Sequence, residues 1–279
     1  MTLDVPLLFT TLVTPYYADL KLVERDAVIK SGDKVFFEQR NVLFPEDWSQ
    51  NAVNIVASRY FSKKPGSHET TLTQLVDRVA MTITEWGRQY GYLSEGFDSS
   101  FQDELSYVLS HQMAAFNSPV WFNVGLSPRP QCAACFILSV EDDLGSILRW
   151  YCNEAAIFSD GSGSGVNLSK LRANGELLSF GGRASGPVSF MRPADTIAGT
   201  IRAGGKARRA AKMVILDADH PDVEEFIWSK EREETKASAL RAAGFDMAVG
   251  AEAWFNVGFQ NANNSVRLPD SFFTALHLD

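Results

Sequence analysis

The sequence predicts an α/β protein, with a mainly helical N-terminal region over residues 1–110 and alternating strands and helices over residues 111–279. Three observations carry this. Apolar residues recur at helical spacing between Leu72 and Leu109. From about Phe116 short apolar runs alternate with helix-like stretches. Glycine-rich turns mark the junctions between them.

Taken in order, residues 1–65 show little periodicity beyond the strand-like Lys34-Val35-Phe36-Phe37, and Lys63 to Ser67 reads as a linker. Leu72, Leu75, Val76, Val79, Ile83 and Trp86 then fall three and four apart, on one face of a helix for which Ser67 is a candidate N-cap. A second helix follows. Ser99 and Gln102 stand at capping-box spacing, and Phe101, Leu105, Val108 and Leu109 form its stripe. Ala134 to Val140 reads as a buried strand, and Asp143 as the cap of a helix from Leu144 to Phe158 with Cys152 in its core. Gly165 to Leu168 and Met213 to Leu216 read as further strands. Asp219 and Pro221 open a helix carrying Val223, Phe226 and Ile227. The tail from Gly244 to Asp279 has no clear period.

Composition narrows the function. The net charge of −8 argues against a nucleic-acid polymer as partner, since phosphate neutralisation needs clustered cations. The opening residues lack the basic and apolar regions of a signal peptide, and no apolar run approaches the roughly 20 residues of a membrane span. A cytoplasmic protein without membrane contact is expected. Cys132, Cys135 and Cys152 are too few for a disulfide framework.

Cys132-Ala133-Ala134-Cys135 is compatible with half a zinc site, with a redox pair, or with two small core residues. A second ligand pair is missing and His111 and His220 lie off ligand spacing, so no metal site is expected. Redox C-x-x-C motifs open helices, whereas Cys135 leads into a strand. Glycine turns at 160–165, 174–186 and 203–210 punctuate the strands. The last carries Lys206, Arg208, Arg209 and Lys212, which read either as a solvated basic loop or as a loop that grips phosphate.

Six ordered blocks carry a resemblance. They are Phe116-Asn117-Ser118-Pro119-Val120-Trp121-Phe122-Asn123, Gln131 to Phe136, Asp160 to Ser169, Ala184 to Met191, Gly204 to Met213, and Gln260 to Arg267. Together they resemble the N-terminal half of ribonucleotide reductase large chains, with wording similar to the adenosylcobalamin-dependent class. The resemblance implies a partial ten-stranded α/β barrel. It also implies thiyl-radical reduction of ribonucleotides, diphosphates foremost, started by cobalt–carbon cleavage in adenosylcobalamin. Cys135 resembles the first member of the redox pair, whose partner lies downstream and which a thioredoxin- or glutaredoxin-like dithiol re-reduces. Ser118, Ala134, Cys135 and Gly163 match substrate contacts. Asp142, Leu144 and Arg172 match a site for a deoxynucleoside triphosphate effector between two subunits of a homodimer. Segments 174–186 and 204–212 resemble its two loops, which brings in Lys206, Arg208 and Arg209. Where some relatives have a second arginine in the first loop, this chain has Ser179.

No cysteine follows Cys152, whereas the reaction needs three thiols at one site. The expectation is a chain that lacks the radical cysteine and works only with the missing C-terminal half of the barrel. The alternative is a stand-alone module that binds deoxynucleoside triphosphates without redox activity.

Overall fold

The structure, a computed structural model, describes residues 2–11, 13–94, 96–201, 211–248 and 251–278, and these form two compact units that divide after Ala133. The boundary expected after residue 110 falls inside the first unit, which also holds helix Ser118–Asn123.

The first unit opens with a leader and then an antiparallel hairpin, β1 (Leu22–Ser31) and β2 (Lys34–Pro45), of which the sequence showed only a fragment. Its two-residue loop places Gly32 at φ 57°, the left-handed conformation that tight hairpins require. Helices α1 (Gln50–Arg59), α2 (Leu72–Gln89), α3 (Asp98–Ser110) and α4 (Ser118–Asn123) follow. The core joins Val42 and Phe44 of the hairpin to Val53 and Ala57 of α1 and to Leu72, Leu75 and Val76 of α2. The α2 stripe is therefore where its period puts it. Its cap is Thr71, not Ser67: Thr71 and Gln74 form a reciprocal capping box one residue before the helix. Helix α3 has no side-chain cap from Ser99. Of its expected stripe only Leu109 is fully buried, and Glu104 is buried instead. The Glu104 carboxylate accepts from the Phe9 and Thr10 amides (3.0 and 2.8 Å) and from the Thr10 hydroxyl (2.8 Å), which ties down the unpatterned leader.

The second unit alternates strand and helix: β3 (Cys135–Leu138), α5 (Leu144–Ser159), β4 (Gly163–Asn167), α6 (Gly186–Thr200), β5 (Lys212–Asp217), α7 (Val223–Ala242), β6 (Ala262–Arg267) and α8 (Asp270–Leu278). The strands are parallel and ordered β3-β4-β5-β6. Asp143 caps α5 as expected, accepting from the Ser146 amide at 2.9 Å. The aperiodic tail holds β6 and α8, and its polar Asn263 and Asn264 hide the strand from a hydropathy reading.

Alternation splits the sheet into two faces. Val166, Val214 and Leu216 point into a core with Ile147 and Trp150 of α5, Met191 of α6 and Phe226 of α7. Cys135, Ile137, Gly163, Gly165, Met213 and Asn263 share the opposite face through the strand register. There Ile137 is 86% exposed, so β3 is not the buried strand its apolar run suggests. Cys152 corrects a second expectation. It lies on the exposed side of α5, not in its core. Among the described residues no helix is long and apolar enough to cross a membrane.

One charged contact sits inside the core face. The Lys212 ammonium meets the Glu154 carboxylate at 2.6 Å with the side chains 1% and 0% exposed, Ser164 Oγ donates to the other carboxylate oxygen at 2.8 Å, and the Trp150 ring lies 4.9 Å from the ammonium. Burial pulls the lysine below its usual pKa range, against the opposing pull of Glu154. Glu154→Ala strands a buried cation and is expected to cost about 3–5 kcal/mol in urea unfolding. Glu154→Leu combined with Lys212→Met is expected to cost less than Glu154→Ala alone; an equal or larger loss for the pair would contradict this account.

Candidate functional site

The first strands of the parallel sheet meet at Gly163. Its amide donates to the Ala134 carbonyl at 2.7 Å, and the next amide, Ser164, donates to the Ala211 carbonyl at 3.1 Å. A Cβ on Gly163 would lie 2.9 Å from the Ala211 oxygen and 3.5 Å from Cys135 Sγ. No side chain fits there without moving backbone, so glycine keeps the sheet surface beside the thiol bare. Gly165, one step along, leaves room for Ile137. Ala134, Cys135 and Gly163 therefore come together at the start of β3 and β4, with the Cys135 thiol exposed.

The three thiols differ. Cys135 and Cys152 are exposed and Cys132 is half-buried, and all are free. Burial pushes the Cys132 thiol pKa up, and its Sγ points to the Pro130 carbonyl at 3.6 Å. Among the described residues no group of three His, Cys, Asp or Glu side chains could hold a metal. His220 is occupied by backbone: its Nδ1 accepts from the Asp222 amide at 3.0 Å, and Nε2 faces the Leu171 carbonyl at 2.8 Å.

Ser118 stands at the start of α4 in the first unit, where its Oγ lies 3.0 Å from the Tyr60 hydroxyl.

The residues matched to an effector site also converge in part. Asp142 and Arg172 pair directly, Nε to Oδ2 at 2.6 Å, both about one-third exposed. Leu144 begins α5 beside them in sequence and is 65% exposed. Segment 174–186 folds as a small hairpin. Gly175 and Ala184 are linked through Gly175 N to Ala184 O (2.9 Å), and Leu177 bridges Arg183. Its tip carries Phe180, fully exposed, between Leu178 and the left-handed Gly181 and Gly182. Asp222 holds the hairpin's first end and lies close against its last. It accepts the Asn174 amide at 2.9 Å, and a Cβ on Gly186 would lie 2.5 Å from its carboxylate. Lys206, Arg208 and Arg209 lie outside the described residues. Lys212, read from sequence with that basic loop, is instead buried on Glu154 and has no phosphate-facing role.

Sequence reasoning did not find Tyr60, Glu154 or Asp222. Each acts through a partner 48 to 58 positions away, and no local spacing marks such a pair.

Known proteins decide the family. Residues 133–279 match the family model described as the ribonucleotide reductase barrel domain, and residues 24–112 match the class II vitamin B12-dependent ribonucleotide reductase model. The chain belongs to the ribonucleotide reductases. Similar curated proteins are the vitamin B12-dependent ribonucleotide reductases of Streptomyces avermitilis (53% identical over 93% of this chain) and Rhodopirellula baltica (43% over 90%). The vitamin B12-dependent ribonucleoside-diphosphate reductase of Thermoplasma acidophilum is 30% identical over 93% of this chain. The chain spans 28%, 27% and 34% of the lengths of these three relatives. The four-stranded parallel sheet is thus the described part of a reductase barrel.

Thiol accessibility tests this geometry. With iodoacetamide on the native chain near neutral pH, Cys135 and Cys152 are expected to alkylate well before Cys132, as read by peptide mass spectrometry. Cys132 reacting first would contradict the arrangement.

Proposed function

We propose that this chain supplies the first half of the catalytic barrel of an enzyme that reduces ribonucleotides, ribonucleoside diphosphates foremost, to 2′-deoxyribonucleotides. The observation that carries the reading is the exposed Cys135 thiol beside the buried, side-chain-free Gly163, on the sheet face opposite the apolar core. A ribose beside Gly163, with Ala134 leaving room, has its 2′ carbon within reach of Cys135; Ser118 is kept as a substrate contact by the resemblance alone. In the net reaction the 2′ hydroxyl leaves as water. Cys135 and a cysteine from the C-terminal half give up two electrons and two protons and become a disulfide. A thioredoxin- or glutaredoxin-like dithiol then reduces the disulfide by exchange. The radical cysteine that removes and returns the 3′ hydrogen is assigned to that same C-terminal half.

The cofactor of the family is adenosylcobalamin, which supplies the initiating radical when bound. No residue of this chain is assigned to hold it. The chain's own part is to position thiol and sugar and to exclude water.

The regulatory half of the proposal rests on Asp142, Leu144 and Arg172. Arg172 uses Nε on Asp142, which leaves its terminal nitrogens to fork onto a phosphate of a deoxynucleoside triphosphate, while Asp142 accepts a ribose hydroxyl. The 174–186 hairpin is the first of the two effector loops, and the effector lies between two subunits of a homodimer; Lys206, Arg208 and Arg209 are assigned to the second loop by the resemblance. Cytoplasmic location follows from a reaction that draws on a reducing dithiol pool.

Supplied with the C-terminal half, adenosylcobalamin and a dithiol, the chain is expected to sustain turnover, and Cys135→Ser is expected to abolish repeated turnover with the dithiol. Full multiple-turnover activity in Cys135→Ser would remove Cys135 from the redox pair. The chain alone is expected to reduce no ribonucleotide; measurable product from it would overturn the half-barrel account.

A further inference from the structure

We infer that Tyr60 is a positioning residue for the Ser118 hydroxyl, one that turns it into a hydrogen-bond donor aimed at substrate. The inference rests on the reading of Ser118 as a substrate contact. Tyr60 is the C-cap of α1, and its phenol oxygen lies 3.0 Å from Ser118 Oγ across 58 positions of chain. A phenol is the more acidic of the two hydroxyls. Tyr60 therefore donates and Ser118 Oγ accepts, which leaves the serine proton free to point away from Tyr60, toward an oxygen of sugar or phosphate. A hydroxyl that accepts one strong hydrogen bond is itself polarised as a donor. The contact also selects one of the staggered rotamers of Ser118 and so removes freedom that binding would otherwise have to freeze.

Arg78 holds the two residues in register from behind. Its Nη2 donates to the Trp121 carbonyl within α4 at 2.9 Å and to the Tyr60 carbonyl at 3.4 Å, and Nη1 donates to the carbonyl of Val124, the C-cap of α4. Nε pairs with Glu69 at 2.6 Å, with the two side chains 11% and 7% exposed. One buried guanidinium thus ties the backbone of Tyr60 and the helix of Ser118 to a single point. The left-handed Gly125 lets the chain pass close by: a Cβ there would lie 2.6 Å from Arg78 Cγ. The Tyr60 ring itself forms part of the wall of an apolar cavity with Ile55, Met113, Phe116 and Trp121. Tyr60→Phe keeps that wall and removes only the donor.

The test uses the reductase assembled from this chain and its C-terminal half, with KM and kcat measured for a ribonucleoside diphosphate in Tyr60→Phe, Ser118→Ala and the double variant. Tyr60→Phe is expected to raise KM about five- to tenfold with kcat unchanged, the size of one hydrogen bond lost from binding. In the Ser118→Ala background it is expected to add nothing, because its effect passes through that hydroxyl. A general weakening of the fold would act equally in both backgrounds, so an equal KM increase in each overturns the inference. So does an unchanged KM in Tyr60→Phe while Ser118→Ala raises it, and in that case the substrate contact stands without Tyr60. An unchanged KM in Ser118→Ala removes the substrate contact itself, and the inference falls with it.

Discussion

The second unit depends on one close approach of backbones. Gly163 passes between the Ala134 carbonyl, which its amide reaches at 2.7 Å, and the Ala211 carbonyl, which any Cβ would strike. Three strands are brought abreast there by a residue with no side chain. The same absence leaves the Cys135 thiol standing over bare backbone. A methyl group at that position would strike the Ala211 carbonyl and crowd the Cys135 thiol.

The two faces of the sheet use opposite physics. The covered face buries hydrocarbon from α5, α6 and α7, and within it one ion pair, Glu154 with Lys212, joins α5 to the first residue of β5. A buried pair of this kind is a weak source of net stability, because desolvation offsets most of the attraction. It penalises any register that separates the partners. The other face carries two glycines, an exposed thiol, the exposed Ile137 and Met213, and Asn263. Apolar burial cannot hold it in shape, so its order has to come from the covered side.

Carboxylates recur as anchors for irregular backbone. Glu104 holds the leader through the amides of Phe9 and Thr10, and Asp222 holds the 174–186 hairpin through Asn174. Asp195 accepts the Gln260 and Asn261 amides and Glu233 accepts Gly258, which together set the approach to β6. Hydrogen bonds from the leader hold the Glu104 carboxyl below its usual range despite the cost of burial. Part of the acidic balance of the chain is therefore structural. Charges that composition alone assigns to a solvated surface instead satisfy amides in segments that lack a regular ladder.

Some of this was legible in order of residues alone. The α2 stripe, the Asp143 cap, the succession of strand and helix after residue 134 and the glycine turns are local patterns, and local patterns report local structure. The ordered blocks pointed to the reductases and singled out Cys135 and Gly163. The sequence could not say that β3 is exposed, that Cys152 faces outward, that Lys212 is buried, or that β6 exists beneath its asparagines. Those outcomes depend on which side of an element finds a partner, and the partner comes from another element of the chain. Only the tertiary structure could join Tyr60 to Ser118, Glu154 to Lys212 and Asp222 to Asn174, because a hydrogen bond is decided by distance in space and leaves no periodic trace along the chain.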